Sequence, residues 1–369
     1  MSTGLTQAAA QARHILFIRL DNLGDVLMCT PAMQAVRDAH PHARLTLLTS
    51  PSGARLAPHL DMLDEVWVHR AAWVRPPGAP DVDDEMTLIE RLRSAHVDVA
   101  VVFTTCTQSA LPVALLCRMA GIACRVAFSR ENPYALLSAW IPEEDTIAAG
   151  MRHEVLRQLA LVAQLGVPVP ANPGLRLKVR DADRIEARAV LAQAGLAAGR
   201  RYVLLHPGAT AASRRYRPHD FGVALSALMQ AGWSAVICGS EDDREAAAQV
   251  RAAVKEPVID VVGALSLGGL AALIEDSALL MANNSGPAHM AAAVGTPLVC
   301  LYALTNPQHT PWQVPSRVLF QDVPCRHCLR STCPQGHHAC LRGVAPEAVV
   351  EAALGLLNQH DEPHARSLS

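Results

Sequence analysis

Four short segments carry side chains whose types and spacing suit chemistry, and each follows a run of β-branched or leucine-rich residues. The first is Arg19-Leu20-Asp21-Asn22-Leu23-Gly24-Asp25, running on to Thr30-Pro31-Ala32. Gly24 lets backbone approach a ligand in this turn, and Asp25 would sit at the N-terminus of the next helix. The plainer reading is that Asp25 caps the next helix. The second segment is His206-Pro207-Gly208-Ala209-Thr210, followed by Ser213-Arg214-Arg215-Tyr216. Small residues, hydroxyls and two arginines suit a pyrophosphate, which takes N–H donors and bidentate guanidinium contacts. The same residues would also serve as an ordinary loop with solvated arginines. In the third, Asn283-Asn284-Ser285-Gly286-Pro287-Ala288-His289, Ser285 can N-cap a helix whose first N–H groups, near Gly286 and Ala288, form a small anion site. His289 either faces that site or packs in the core. The fourth, Gly239-Ser240-Glu241-Asp242-Asp243, is an acidic helix start that capping largely explains, and Glu241 could also accept hydrogen bonds from a ribose.

A fifth group is different in kind. Cys325, Cys328, Cys333 and Cys340, with His327, His337 and His338 among them, are the ligand types of a structural zinc site, at irregular spacing. Reduced loop-packing thiols are the preferred reading, ahead of bound zinc, with a redox-labile disulfide third. The other six cysteines sit among apolar neighbours and read as reduced core residues.

The elements that must hold these segments alternate strand and helix almost throughout. Strands are predicted at 14–20, 45–49, 65–69, 97–103 and 125–128, with helices at 25–39, 84–95, 109–119 and 151–165. After the proline-rich break Val167-Pro168-Val169-Pro170-Ala171-Asn172-Pro173, a strand is predicted at 175–179 and a helix at 181–194. The pattern then restarts, with strands at 202–205, 235–238, 258–261, 278–281 and 298–302. Helices fall at 219–230, 242–254, 267–274, 287–294 and 346–357. Apolar strands between helices imply parallel sheets covered on both faces. The expected fold is α/β, two doubly wound Rossmann-like domains: 1–175, then 176–345 with the cysteine segment, then a C-terminal helix and polar tail at 346–369. In such sheets ligands bind beyond the carboxyl ends of the strands, where all four segments lie.

Composition narrows the function classes. The chain has 369 residues, half of them hydrophobic, enough to bury two cores. A net charge of −2 argues against a general nucleic-acid binder. The absence of G-x-G-x-x-G after the first strand counts against a nicotinamide-dependent enzyme. No 18-residue apolar run and no signal-peptide pattern occur, so a cytoplasmic enzyme is expected. The stretch Arg70–Pro77, basic and apolar, reads as a surface loop in preference to a membrane contact.

In their order and spacing the four segments resemble glycosyltransferase family 9, the heptosyltransferase family, over roughly residues 14–358. The turn Arg19–Asp25 with Thr30-Pro31-Ala32, then His206–Gly208, Arg214–Tyr216, Gly239–Glu241 and Asn284–His289, carry the resemblance. It implies the GT-B architecture: an acceptor-binding domain, then a donor-binding domain, facing a central cleft. It also implies inverting transfer of a heptose-like sugar from an ADP-sugar to a lipopolysaccharide core or related glycan, with no cofactor required. Asp25 matches the general base. His206, Gly208, Thr210, Arg214, Ser285, Gly286 and His289 match the donor site, and Glu241 lies where the ribose is expected. A lipid-borne acceptor would bring the enzyme to the cytoplasmic face of the inner membrane. Two departures stand out: Arg214 replaces a usual lysine, and Asn284 replaces a frequent aspartate, exchanging an acceptor for a donor. A protein or other glycan acceptor, a GT-B epimerase, and a non-enzymatic cysteine-site scaffold remain as alternatives.

Overall fold

The computed structural model describes residues 3–74, 81–148, 150–303 and 307–365, with side chains described from 4 to 359 within those spans. Two compact units divide the chain, Met1–Lys178 and Val179–Ser369.

The first unit holds strands β1 (His14–Arg19), β2 (Arg44–Thr49), β3 (Glu65–Val68), β4 (Val99–Val102) and β5 (Cys124–Val126). They form one parallel sheet in the order β3-β2-β1-β4-β5. Every residue of β1 and β4 is buried, which explains their unbroken apolar runs. The order reverses between β1 and β4, so the turns leaving these two neighbours diverge and open a crevice. A short parallel pair, β6 (Phe128–Ser129) and β7 (Ile141–Pro142), follows. The helices are α1 (Thr3–Ala10), α2 (Leu23–Ala39), α3 (Pro51–Ala54), α4 (Val82–Ser94), α5 (Leu111–Met119) and α6 (Glu154–Ala163). Helices α4 and α5 bury Leu88, Leu92, Val113 and Ala114 with Leu16, Ile18, Ala100 and Val102 of the sheet.

The second unit repeats the plan with β8 (Tyr202–His206), β9 (Ser234–Ile237), β10 (Ile259–Asp260), β11 (Leu279–Asn283), β12 (Leu298–Leu301) and β13 (Ser316–Leu319). The sheet is again parallel, in the order β10-β9-β8-β11-β12-β13, and reverses between β8 and β11. Its helices are α7 (Asp181–Gln193), α8 (Pro218–Gln230), α9 (Arg244–Ala253), α10 (Leu267–Asp276), α11 (Gly286–Val294), α12 (Ala339–Arg342) and α13 (Pro346–Ala365). Val349, Ala353, Leu356 and Leu357 of α13 join Phe221, Leu225 and Leu228 of α8 in the core beneath β8, β11 and β12. The C-terminal helix is thus part of this unit's core.

Three local expectations differ from the structure. The polar N-terminus forms α1, which buries Leu5 and Ala9. The stretch 175–179 joins no ladder. Its backbone bonds go instead to His59, through Lys178 N to the His59 carbonyl (3.0 Å), and to the Thr30 hydroxyl, through Arg176 N (2.9 Å). A sixth strand of the second sheet, β13, lies where none was expected. Among the described residues no helix is long and apolar enough to cross a membrane. Of the segment Arg70–Pro77, residues 75–77 lie outside the described residues; Trp73 and Val74 are half-buried against the first unit's core.

Candidate active site

The turn after β1 is built around a fully buried arginine. Arg19 ends the strand, and its guanidinium meets Asp21 (2.8 Å), Glu154 of α6 (3.0 Å) and Asp25 (3.3 Å). Asp25 is the third residue of α2, with Asn22 as N-cap, so the capping and functional readings are compatible. Its Oδ2 accepts from the Asn22 backbone N–H at 3.1 Å, while Oδ1 faces Arg19. The two contacts fix the carboxylate's orientation and leave its side chain 15% exposed, enough for a ligand hydroxyl to reach. Asp21 is more enclosed, and burial pushes its carboxyl above the usual range against the pull of Arg19. Behind Glu154 lies Arg157, fully buried, which bonds Glu143 and the Thr104 carbonyl. Sequence reading missed this ionic frame, whose partners lie up to 135 residues apart.

In the second unit most of the expected donor residues lie in the turns after β8 and β11, the two strands that flank the reversal, while Glu241 follows β9. His206 ends β8; Asn284, Ser285, Gly286 and His289 follow β11 into α11. The residue that ties the two turns together is Asn283, which sequence reading passed over for Asn284. Fully buried, it donates to the Pro207 carbonyl (2.7 Å) and accepts from Tyr216 N (2.9 Å). Asn284 is also buried and hydrogen-bonds the Tyr302 hydroxyl. Ser285 is the N-cap of α11 by position, but its hydroxyl donates to the Asn283 carbonyl (3.1 Å) and caps no helical N–H. Pro287 has no N–H and Ala288 N donates to the Ser285 carbonyl (3.1 Å), so an anion at this helix start would rest on the Gly286 N–H. His289 lies buried one turn further on.

Gly208 is fixed by packing: a Cβ there would run into the Asp243 carboxylate. Asp243 in turn accepts from Ser240 N and Oγ, both at 2.8 Å, and lies 3.7 Å from His206 Nε2. Burial holds the His206 imidazole below its ordinary range, with Asp243 opposing. Thr210 is exposed, and Arg214 ends a short 3-10 turn, Ala212–Arg214. Glu241 is solvent-facing and paired with Arg244 through two bonds of 2.6 and 2.7 Å, which lower its carboxyl.

The cysteine segment docks on the Arg214 turn: Ser213 N donates to the Ser331 carbonyl (2.9 Å) and Ser213 Oγ to the Arg330 carbonyl (2.6 Å). Cys325, Cys328, Cys333, Cys340, His337 and Ser213 face one small cavity of about 30 Å³. All four cysteines are half-buried, and Cys325 Sγ lies 3.9 Å from His337 Nε2. Among the described residues no three His, Cys, Asp or Glu side chains gather into a set that could hold a metal ion.

Comparison with known proteins decides the family. The profile of glycosyltransferase family 9 (heptosyltransferase) matches residues 86–339, more than half of the chain. The chain belongs to glycosyltransferase family 9. Lipopolysaccharide heptosyltransferase 2 of Escherichia coli K12 is 26% identical over 94% of this chain and 99% of its own length. A shorter match, 28% identical, links 44% of the chain to 53% of lipooligosaccharide heptosyltransferase 2 of Campylobacter jejuni. Two solved structures share the fold. A family 9 glycosyltransferase from Veillonella parvula has a TM-score of 0.77 at 22% identity, over 94% of this chain and 97% of its own. E. coli ADP-heptose lps heptosyltransferase II has a TM-score of 0.72 at 23%, over 94% and 99%. As a family 9 glycosyltransferase, the chain carries the two parallel sheets of the GT-B heptosyltransferases.

Proposed function

We propose that this glycosyltransferase moves a heptose-like sugar, with inversion, from an ADP-sugar to a lipopolysaccharide core or related glycan. The observation that carries the reading is Asp25: a carboxylate at the carboxyl edge of β1, oriented by Arg19 and Asn22 yet still open to solvent. In the step, Asp25 takes the proton of an acceptor hydroxyl as its oxygen attacks the donor's anomeric carbon. The bond from that carbon to the diphosphate oxygen breaks, and ADP leaves. Charge building on the leaving diphosphate is met by Arg214, Thr210 and the Gly286 N–H at the positive end of α11. Glu241 takes the ribose hydroxyls after exchanging its bond to Arg244. His206, Gly208 and Asn284 shape the turns from which these groups reach the donor, with His289 on the sugar side.

In this reading transfer needs no metal, and the cysteine segment buttresses the Arg214 turn with its thiols reduced. Removal of metal by chelators then leaves activity unchanged; a stoichiometric metal whose loss abolishes nucleotide binding would contradict this. A lipid-borne acceptor places the enzyme at the cytoplasmic face of the inner membrane, in peripheral contact. The donor half of the proposal is tested by calorimetric titration with ADP, UDP and GDP. Selective binding of ADP, weakened at least tenfold in Arg214→Ala, is expected. Preference for UDP or GDP, or an unchanged affinity in the variant, would overturn it.

A further inference from the structure

Arg19 meets its three carboxylates through three different nitrogens. Nε lies 2.8 Å from Asp21, Nη2 3.3 Å from Asp25 and Nη1 3.0 Å from Glu154. Only the contact to Glu154 is an aligned hydrogen bond; Nε and Nη2, both buried, have no acceptor in hydrogen-bond geometry among the described residues. The guanidinium is therefore hydrogen-bonded to Glu154 and meets Asp25 by charge alone. For a base the difference counts. A carboxylate that accepts a charge-assisted hydrogen bond from a guanidinium is stabilised in its ionised form, and takes up a proton less readily than one that only sits near the cation.

Glu154 is placed to keep that bond. It opens α6, which packs against α2, and its side chain is wholly buried. Its charged form is favoured by Arg19, by Gln158, whose Nε2 donates to the same Oε1 at 2.6 Å, and by the N-terminus of α6. Arg157 lies 3.8 Å away, but its own hydrogen bonds go to Glu143 (2.7 Å) and the Thr104 carbonyl, so it does not stand in for Arg19. Two further titratable groups flank Asp25: Asp21 from the turn after β1, and Cys29 one turn along α2. The Cys29 thiol donates to the Asp25 carbonyl at 3.2 Å, and burial pushes it up, so it stays neutral.

We infer that Glu154 is a positioning residue for the transfer step: it holds the Arg19 guanidinium back from Asp25 and so preserves the basicity that Asp25 brings to the acceptor hydroxyl. The inference rests on the reading of Asp25 as the base and adds the residue that sets its strength. Without the Glu154 charge, Arg19 turns Nη2 onto Asp25 Oδ1 and stabilises the ionised carboxylate. The pKa of the base then falls, so the acid limb of kcat/KM moves to lower pH while the plateau rate drops.

The test follows transfer from ADP-heptose to truncated lipopolysaccharide as a function of pH, with the full chain. Glu154→Gln keeps the shape and removes the charge. Its acid limb should move down by at least about 0.5 pH unit, with kcat about three- to tenfold lower and KM for ADP-heptose unchanged. Glu154→Asp keeps the charge on a shorter stem and should return most of that shift. A role in packing alone predicts the reverse order, because aspartate opens a void that glutamine does not. A limb unmoved in Glu154→Gln, or moved as far in Glu154→Asp, would overturn the inference. If circular dichroism shows the glutamine variant unfolded, the aspartate variant decides alone: a limb within about 0.2 pH unit of the original supports the inference, and a larger shift overturns it. Near-normal turnover in Asp25→Asn would instead overturn the reading of Asp25 as the base, so the two failures are distinguishable.

Discussion

At the residue scale the account turns on how one guanidinium serves three carboxylates. If Asp25 is the base, Asp25→Asn lowers turnover by about 10²–10⁴-fold and leaves ADP affinity unchanged, since the amide keeps the shape and loses the basicity. Initial rates and calorimetry on the same preparation check this, and near-normal turnover would remove Asp25 from the role. Arg19→Met should cost about 3–5 kcal/mol of stability in urea melts, because it strands Glu154, fully buried, without its counter-charge. A loss below about 1 kcal/mol would mean that Arg157, 3.8 Å from Glu154, carries that charge alone. The turn that carries Asp25 was legible in the sequence because it is contiguous. The pair Arg19–Glu154 was not, since nothing local marks two residues 135 positions apart as partners. Asn283 was overlooked for a related reason: in an Asn-Asn pair only the fold decides which side chain turns inward to bridge the Pro207 and Tyr216 backbones.

At the scale of elements, packing overrides local preference in instructive places. Gly222 lies inside α8, where Gly→Ala ordinarily stabilises a helix by about 1 kcal/mol. Here an added Cβ would come within 2.6 Å of the Val250 carbonyl and 2.7 Å of Ala253 Cβ, both on α9. Gly222→Ala is therefore expected to destabilise by about 1–3 kcal/mol, and a raised melting temperature would show that the two helices are not packed this closely. The strand–helix alternation was readable because buried parallel strands are apolar throughout. The run 175–179 looked the same, yet its carbonyl and N–H groups are satisfied by His59 and Thr30 rather than by a neighbouring strand. Apolar character marks burial there without specifying a ladder. Helix α1 was missed because its buried face is only Leu5 and Ala9, too small to stand out from an alanine-rich terminus.

For the whole molecule, two doubly wound units each place their candidate chemistry at the point where strand order reverses, β1/β4 in one and β8/β11 in the other. Stability should also carry a signature of buried histidine. Burial lowers the His206 pKa below its ordinary 6.5, so the unfolded chain takes up the proton first as pH falls. The corresponding stability is fully present above about pH 6.5 and is lost as pH falls from there towards the folded-state pKa. His206→Gln should flatten part of that loss in thermal melts between pH 7 and 5, and an unchanged slope would assign it to other groups.

The central claim, acceptor-dependent transfer from an ADP-sugar with Asp25 as base, is tested most directly by one assay. ADP-heptose is incubated with lipopolysaccharide truncated at successive core sugars, and released ADP and the mass of the acceptor are measured together for the unsubstituted chain and Asp25→Asn. The account predicts one ADP for each heptose-sized mass added to one truncated acceptor, and neither product with Asp25→Asn. ADP release without acceptor gain, or equal transfer by the variant, would contradict it.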